Sequence, residues 1–198
     1  MLRQIVLLAL VAAASAHFYK PSCPMVPGKY PFDLDKFQGD WYLAAGNDLS
    51  LELKGKCGKV TFPTLMKEKE GKDAVLSSRY TGVSIKDNTP IAYDFTMQPI
   101  ISDKIANLYS VFRAEGSNTY SAIYKTSIVA TDYNTYALYL ACKPVFNAET
   151  KTYGRTLFSE IWTRKDVTLS KDTMDTLTNI LSSYDIDATS IKTIERNC

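Results

Sequence analysis

The chain has 198 residues, 45% hydrophobic and 22% charged, which suffices to bury a core and, at roughly 150 residues per domain, suits one ordinary domain. A formal charge of +2 from 23 basic and 21 acidic residues lacks the excess of a nucleic-acid binder or a polybasic membrane anchor. The single His, His17, argues against Ser-His and Cys-His nucleophile systems, His-ligated zinc and His-ligated haem, whereas 13 Tyr and 8 Phe suit pleated strands and the walls of apolar pockets.

Residues 1–16 read as a secretory signal: Leu2 and Arg3, an apolar run from Ile5, then Ala14-Ser15-Ala16 as the cleavage site. The run is about 10 residues against the roughly 20 needed to span a bilayer, and no later segment comes close. Residues 17–198 are then one secreted, extracellular domain with His17 at its new N-terminus. Cys23, Cys57, Cys142 and Cys198 show no CxxC spacing and read as two disulfides with three possible connectivities. Cys23 and Cys198 lie where each can tie a terminus to the body.

Alternating runs rich in Tyr, Thr, Val, Ile and Phe at 41–45, 57–66, 74–84, 91–98, 105–114, 119–130, 136–142 and 155–164 predict eight strands joined by short polar turns. Beyond them Ser170 caps a helix, Asp172 sits in its first turn, and Met174, Leu177, Ile180, Leu181 and Tyr184 form a stripe that should pack on the outside of the sheet. Residues 189–194 are extended enough for a short ninth strand. No repeat, linker or composition shift divides the chain. Eight up-and-down antiparallel strands either close into a barrel or stack as a sandwich. Closure removes both edges and leaves an interior that side chains fill or that holds one small ligand.

Gly39-Asp40-Trp41 opens the first strand, Thr131-Asp132-Tyr133 lies between the sixth and seventh, and Arg164 ends the eighth. This trio resembles the GxW, TDY and terminal-Arg elements of the lipocalin family, in the same order, and implies the closed barrel with one C-terminal helix. Cys23-Pro24, Phe32-Asp33-Leu34, Gly55-Lys56-Cys57-Gly58, Tyr136-Ala137 and Cys142 add a similarity to the arthropod insecticyanin and bilin-binding proteins, with apolipoprotein D and crustacyanin more distant. The resemblance covers nearly all of 17–198 and implies Cys23 with Cys142 and Cys57 with Cys198. In physical terms Gly39 permits close backbone approach and Trp41 plugs the closed end. A guanidinium from Arg164 over its indole is worth roughly 0.5 to 2 kcal/mol. Asp132 caps its turn by accepting backbone N–H groups.

If Arg164 points into the closed end, period 2 places Trp162, Glu160, Phe158 and Thr156 on the interior face. The register of the bilin-binding proteins implies further inward positions: Arg79 and Thr81, then Ile91, Tyr93, Phe95 and Met97, then Phe112, then Tyr124, Thr126 and Ile128, then Ala137, Tyr139 and Ala141. One bulge would invert any of these. The expected ligand-binding set is Arg79, Tyr93, Phe95, Phe112, Tyr124, Tyr139, Phe158, Glu160 and Trp162. Arg79 and Glu160 either pair or meet the ligand, because an unpaired buried charge is costly. Arg79 would suit a carboxylate, and a register slip would turn it to solvent. Glu160 departs from the aromatic residue expected there in the bilin binders.

The function implied is a carrier that binds and transports or stores a small hydrophobic ligand: a bilin pigment such as biliverdin, a fatty acid, a retinoid or carotenoid, or an odorant-like compound. No cofactor is required, no metal, nucleic-acid or membrane-spanning partner is expected, and assembly into a homo-oligomer is left open. The alternatives are a lipocalin-type enzyme acting on a lipid, with Cys57 as the nearest equivalent of a barrel thiol, and a protein-binding lipocalin whose barrel is filled. There is no Asn-x-Ser/Thr acceptor for N-glycosylation.

Overall fold

The computed structural model describes residues 23–62 and 74–196; the expected signal segment, His17 and Cys198 lie outside them. After an N-terminal arm, Asp33 caps the one-turn helix α1 (Leu34–Phe37) by accepting from the Lys36 N–H. Strand β1 (Gly39–Gly46) follows, then a second short helix, α2 (Asp48–Lys54), capped by Asn47 and ended at Gly55. Gly55 has φ +69°, and a Cβ there would stand 2.0 Å from the Val83 carbonyl oxygen, so no other residue fits. Next come β2 (Lys56–Phe62), β3 (Leu76–Val83), β4 (Pro90–Pro99), β5 (Asn107–Ala114), β6 (Tyr124–Thr131), β7 (Tyr136–Asn147) and β8 (Thr152–Thr163). Helix α3 (Lys171–Ser183), a 3-10 turn (Ala188–Ser190) and β9 (Lys192–Thr193) complete the described chain.

Each of the first eight strands pairs antiparallel with its sequence neighbour, and β1 pairs with both β2 and β8. That second pairing closes the ring and decides the barrel over the sandwich, leaving none of the eight strands with a free edge. Strand β9 adds alongside the end of β1. Two apolar clusters result. One fills the barrel around Trp41, Leu43, Phe62, Tyr80 and Trp162. The other lies between the barrel wall and α3, where Leu177 and Leu181 bury against Leu138, Leu140 and Ile161. Ala45 joins this outer cluster because a bulge between Leu43 and Ala45 reverses the alternation of β1.

Several elements differ from expectation. The sixth strand starts at Tyr124 rather than 119, because in the segment before it Ser121 turns to hydrogen-bond Phe112 through both its backbone and its hydroxyl. The β7–β8 hairpin runs five residues further on β7, since its polar end still forms a ladder from Lys143↔Thr156 to Asn147↔Thr152. The expected ninth strand is half replaced by the 3-10 turn, which Asp187 caps. Helices α1 and α2 were not expected.

At the closed end Trp41 is fully buried and donates its Nε1–H to the Phe37 carbonyl at 2.8 Å. The Arg164 guanidinium lies 3.8 Å from the indole centroid. It donates to the carbonyls of Tyr133, Asp40 and Lys36 at 3.0, 3.0 and 3.1 Å, tying α1, β1 and the β6–β7 turn together. In that turn Asp132 accepts N–H groups of Asn134, Thr135 and Tyr136. Burial opposes its charge, but these bonds and that from the Thr135 hydroxyl outweigh it and hold the carboxyl below the usual carboxylate range. Arg164→Ala removes the cover of Trp41 and three carbonyl contacts, and should lower stability by about 2 to 3 kcal/mol in urea unfolding. Loss of less than half a kcal/mol would mean that solvent replaces Arg164 at no cost.

The Cys23–Cys142 disulfide is present. Cys57 is also disulfide-bonded, and its expected partner, Cys198, lies outside the described residues.

Candidate functional site

Period 2 brings aromatic side chains to the open end of the barrel. Tyr93 and Phe95 of β4, Phe112 of β5, Tyr124 of β6, Tyr139 of β7 and Phe158 of β8 line a cavity of about 40 Å³, with Ser110, Ala141, Leu53 and Lys54. The rings run in a chain round the wall, Tyr93 to Phe112 to Tyr124 to Phe158, at centroid distances of 5.6, 5.8 and 5.6 Å. Helix α2 lies across the mouth. Its last carbonyls lack helical partners, and two phenols from the barrel satisfy them: Tyr93 Oη donates to the Leu53 oxygen at 3.1 Å and Tyr80 Oη to the Lys54 oxygen at 2.8 Å.

Lys54 reaches down from α2 into the barrel. Its Nζ stands 2.7 Å from Oε2 of Glu160, with side-chain exposures of 7% and 0%. Trp162 Nε1 donates to the same Oε2 at 2.9 Å, while Oε1 is buried without a partner among the described residues. The ammonium also lies 5.2 to 5.8 Å from the centroids of five rings, those of Tyr80, Phe95, Tyr139, Phe158 and Trp162. Trp162 itself stacks on Tyr139 at 4.6 Å.

Burial, and then the Glu160 charge, push the phenols of Tyr80 and Tyr139 far above the ordinary tyrosine range. Each stays neutral in the fold while the unfolded chain ionises near pH 10, so this stability is complete below about pH 10 and is lost as pH rises through the folded values. An alkaline absorbance titration should therefore show phenols that ionise only as the fold is lost. The same late step in a Tyr80→Phe/Tyr139→Phe variant would contradict the assignment.

Of the residues expected to line the pocket, Tyr93, Phe95, Phe112, Tyr124, Tyr139 and Phe158 reach the cavity wall. Glu160 and Trp162 face the interior below it, beneath Lys54. Arg79 does not face the interior, and its expected place among them is corrected. Strand β3 turns Leu76, Ser78 and Tyr80 inward and Ser77 and Arg79 outward. The ladder sets this register: Tyr80 opposes Tyr93 and Ser78 opposes Phe95, so Arg79 falls opposite the outward Asp94. Its guanidinium pairs with Asp94 at 3.0 Å and with Glu115, and Arg113 pairs with the same Asp94 at 3.2 Å. Thr81, expected inward beside it, shares the outer face. The larger residues Leu76 and Tyr80 at period 2 were a signal for this register.

The partner of Glu160 is therefore Lys54, not Arg79. Sequence reasoning missed Lys54, which lies between the first two expected strands in a segment given no role; the one hint was the inward carboxylate of Glu160, which needs a cation or a ligand. Cys57, held in a disulfide, offers no thiol nucleophile. Among the described residues no group of three His, Cys, Asp or Glu side chains could hold a metal ion.

No family model matches the chain. The bilin-binding protein of Pieris brassicae is 30% identical over 146 residues, 72% of this chain and 69% of that protein. Among solved structures, apocrustacyanin C1 superposes with a TM-score of 0.63 at 18% identity, covering 87% of this chain and 91% of that one. Insecticyanin from the tobacco hornworm Manduca sexta gives 0.62 at 22% identity, over 89% of this chain and 87% of its own. At such identities the structural likeness speaks for the fold.

Proposed function

This chain belongs to the lipocalin family, and from that premise we propose that it is a secreted carrier of a small hydrophobic ligand, held at the open end of its barrel beneath α2. The observation that carries this reading is the aromatic cavity at the mouth, converging from β4 to β8. Its volume, about 40 Å³, corresponds to a few water molecules at most. Loading therefore requires α2 to leave its latches on Tyr80 and Tyr93, withdrawing Leu53 and Lys54. A bilin is one candidate, supported by the name of the Pieris relative; fatty acids, retinoids and carotenoids share the required apolar bulk. The Cys23–Cys142 disulfide and the signal-like residues 1–16 support an oxidising, extracellular setting.

The test is displacement of a neutral fluorescent probe, N-phenyl-1-naphthylamine, read together with Trp162 emission. Ala141→Phe fills the cavity from its wall and should weaken probe binding about tenfold or more while near-UV dichroism stays native. Equal binding by both proteins would put the site elsewhere. A second reading is favoured by the small cavity: a barrel filled by its own side chains that acts through its outer surface. It requires that no probe be taken up at all.

A further inference from the structure

We propose that the position of the Lys54 ammonium is a ligand subsite, in which an organic primary ammonium with an apolar body displaces Lys54 and takes its place on Glu160. The proposal rests on the carrier reading and specifies the charge of what is carried. Any molecule that enters the barrel must leave the buried ion pair satisfied, because an uncompensated interior charge is costly. The two members of the pair are not equally free to leave. Glu160 sits within β8, fully buried, opposite Gly46 of β1 on one side and Tyr139 of β7 on the other. Lys54 is the last residue of a seven-residue helix at the mouth, on a flexible four-carbon stem that can rehydrate outside. A carboxylate ligand would bring a second anion toward a carboxylate that cannot withdraw; a cation substitutes for one that can.

The surroundings fit an ammonium as well. Five ring centroids lie within 5.2 to 5.8 Å of Nζ, inside the reach of cation–π attraction. Among the described residues Glu160 Oε1 is buried without a partner, a second acceptor for an incoming N–H. Withdrawal of Lys54 also adds the volume of its side chain to the cavity beside Phe95, Tyr139 and Phe158.

The test compares 2-phenylethylammonium with 2-phenylethanol and 3-phenylpropionate, by calorimetry and Trp162 emission, on the full mature chain. The ammonium should bind wild type about tenfold or more tighter than the alcohol, and Glu160→Gln should weaken it roughly 10- to 150-fold while the alcohol changes little. Lys54→Met, which removes the internal competitor, should tighten the ammonium about tenfold or more. Glu160→Gln keeps the measurement decisive if Lys54→Met folds poorly. Equal affinities for ammonium and alcohol in wild type and in Lys54→Met, with N-phenyl-1-naphthylamine still bound and displaced, would overturn this proposal and leave the carrier reading standing. Tightest binding of the carboxylate, lost in Lys54→Met, would overturn it in favour of Lys54 as an anion anchor. No uptake of any of the four compounds would remove the carrier reading as well.

Discussion

Replacing Cys23 and Cys142 together by serine should cost about 4 to 5 kcal/mol before native strain is counted, because the bridge closes a segment of 119 residues in the unfolded chain. The native arm has other anchors. Lys29 donates to the Ile128 carbonyl at 2.8 Å, Phe32 to that of Lys104 at 2.8 Å, and Asn107 receives the Gly28 N–H and donates to the Val26 carbonyl. The variant should therefore keep its fold and lose stability through a freer unfolded state. Urea unfolding should show a lower midpoint and a slope at least as steep. A loss below about 1 kcal/mol would mean that the denatured chain is already compact at this distance.

Lys54→Met should be the more damaging half of the buried pair, costing about 3 to 5 kcal/mol, since among the described residues it leaves Glu160 in the barrel with only the Trp162 N–H. Glu160→Gln should cost less, about 1 to 3 kcal/mol, because the orphaned cation can turn outward from α2. The double variant should recover most of the loss, as an apolar and a neutral group need no mutual compensation. Equal costs for the two single variants would show that Lys54 is held in place by α2 rather than by Glu160. Urea midpoints of the four proteins decide it.

The closed end was readable because each of its parts is local. Gly39-Asp40-Trp41 and Thr131-Asp132-Tyr133 are contiguous, and the turn that Asp132 caps reaches no further than Tyr136. The inward face of β8 followed from alternation back from Arg164, and those of β4, β6 and β7 from the register of similar proteins, which the structure places inward as well. On β3 both alternations carry polar residues, Ser78 on one and Ser77 with Arg79 on the other, so a register borrowed from similar proteins placed the guanidinium on the wrong side. Helices α1 and α2, of four and seven residues, are too short to write an apolar stripe.

The sequence by itself determined the strand count and the helix that docks outside, which are set by periodicities of two or 3.6 within short windows, and the plug of the closed end, which is written in contiguous residues. Only the tertiary structure decided closure through β1 and β8, the outward turn of Arg79, the bulge at Ala45 and the burial of Lys54. Those depend on which strands meet. A lysine enters an apolar barrel only where a carboxylate 106 residues away completes it, and no local pattern records that encounter.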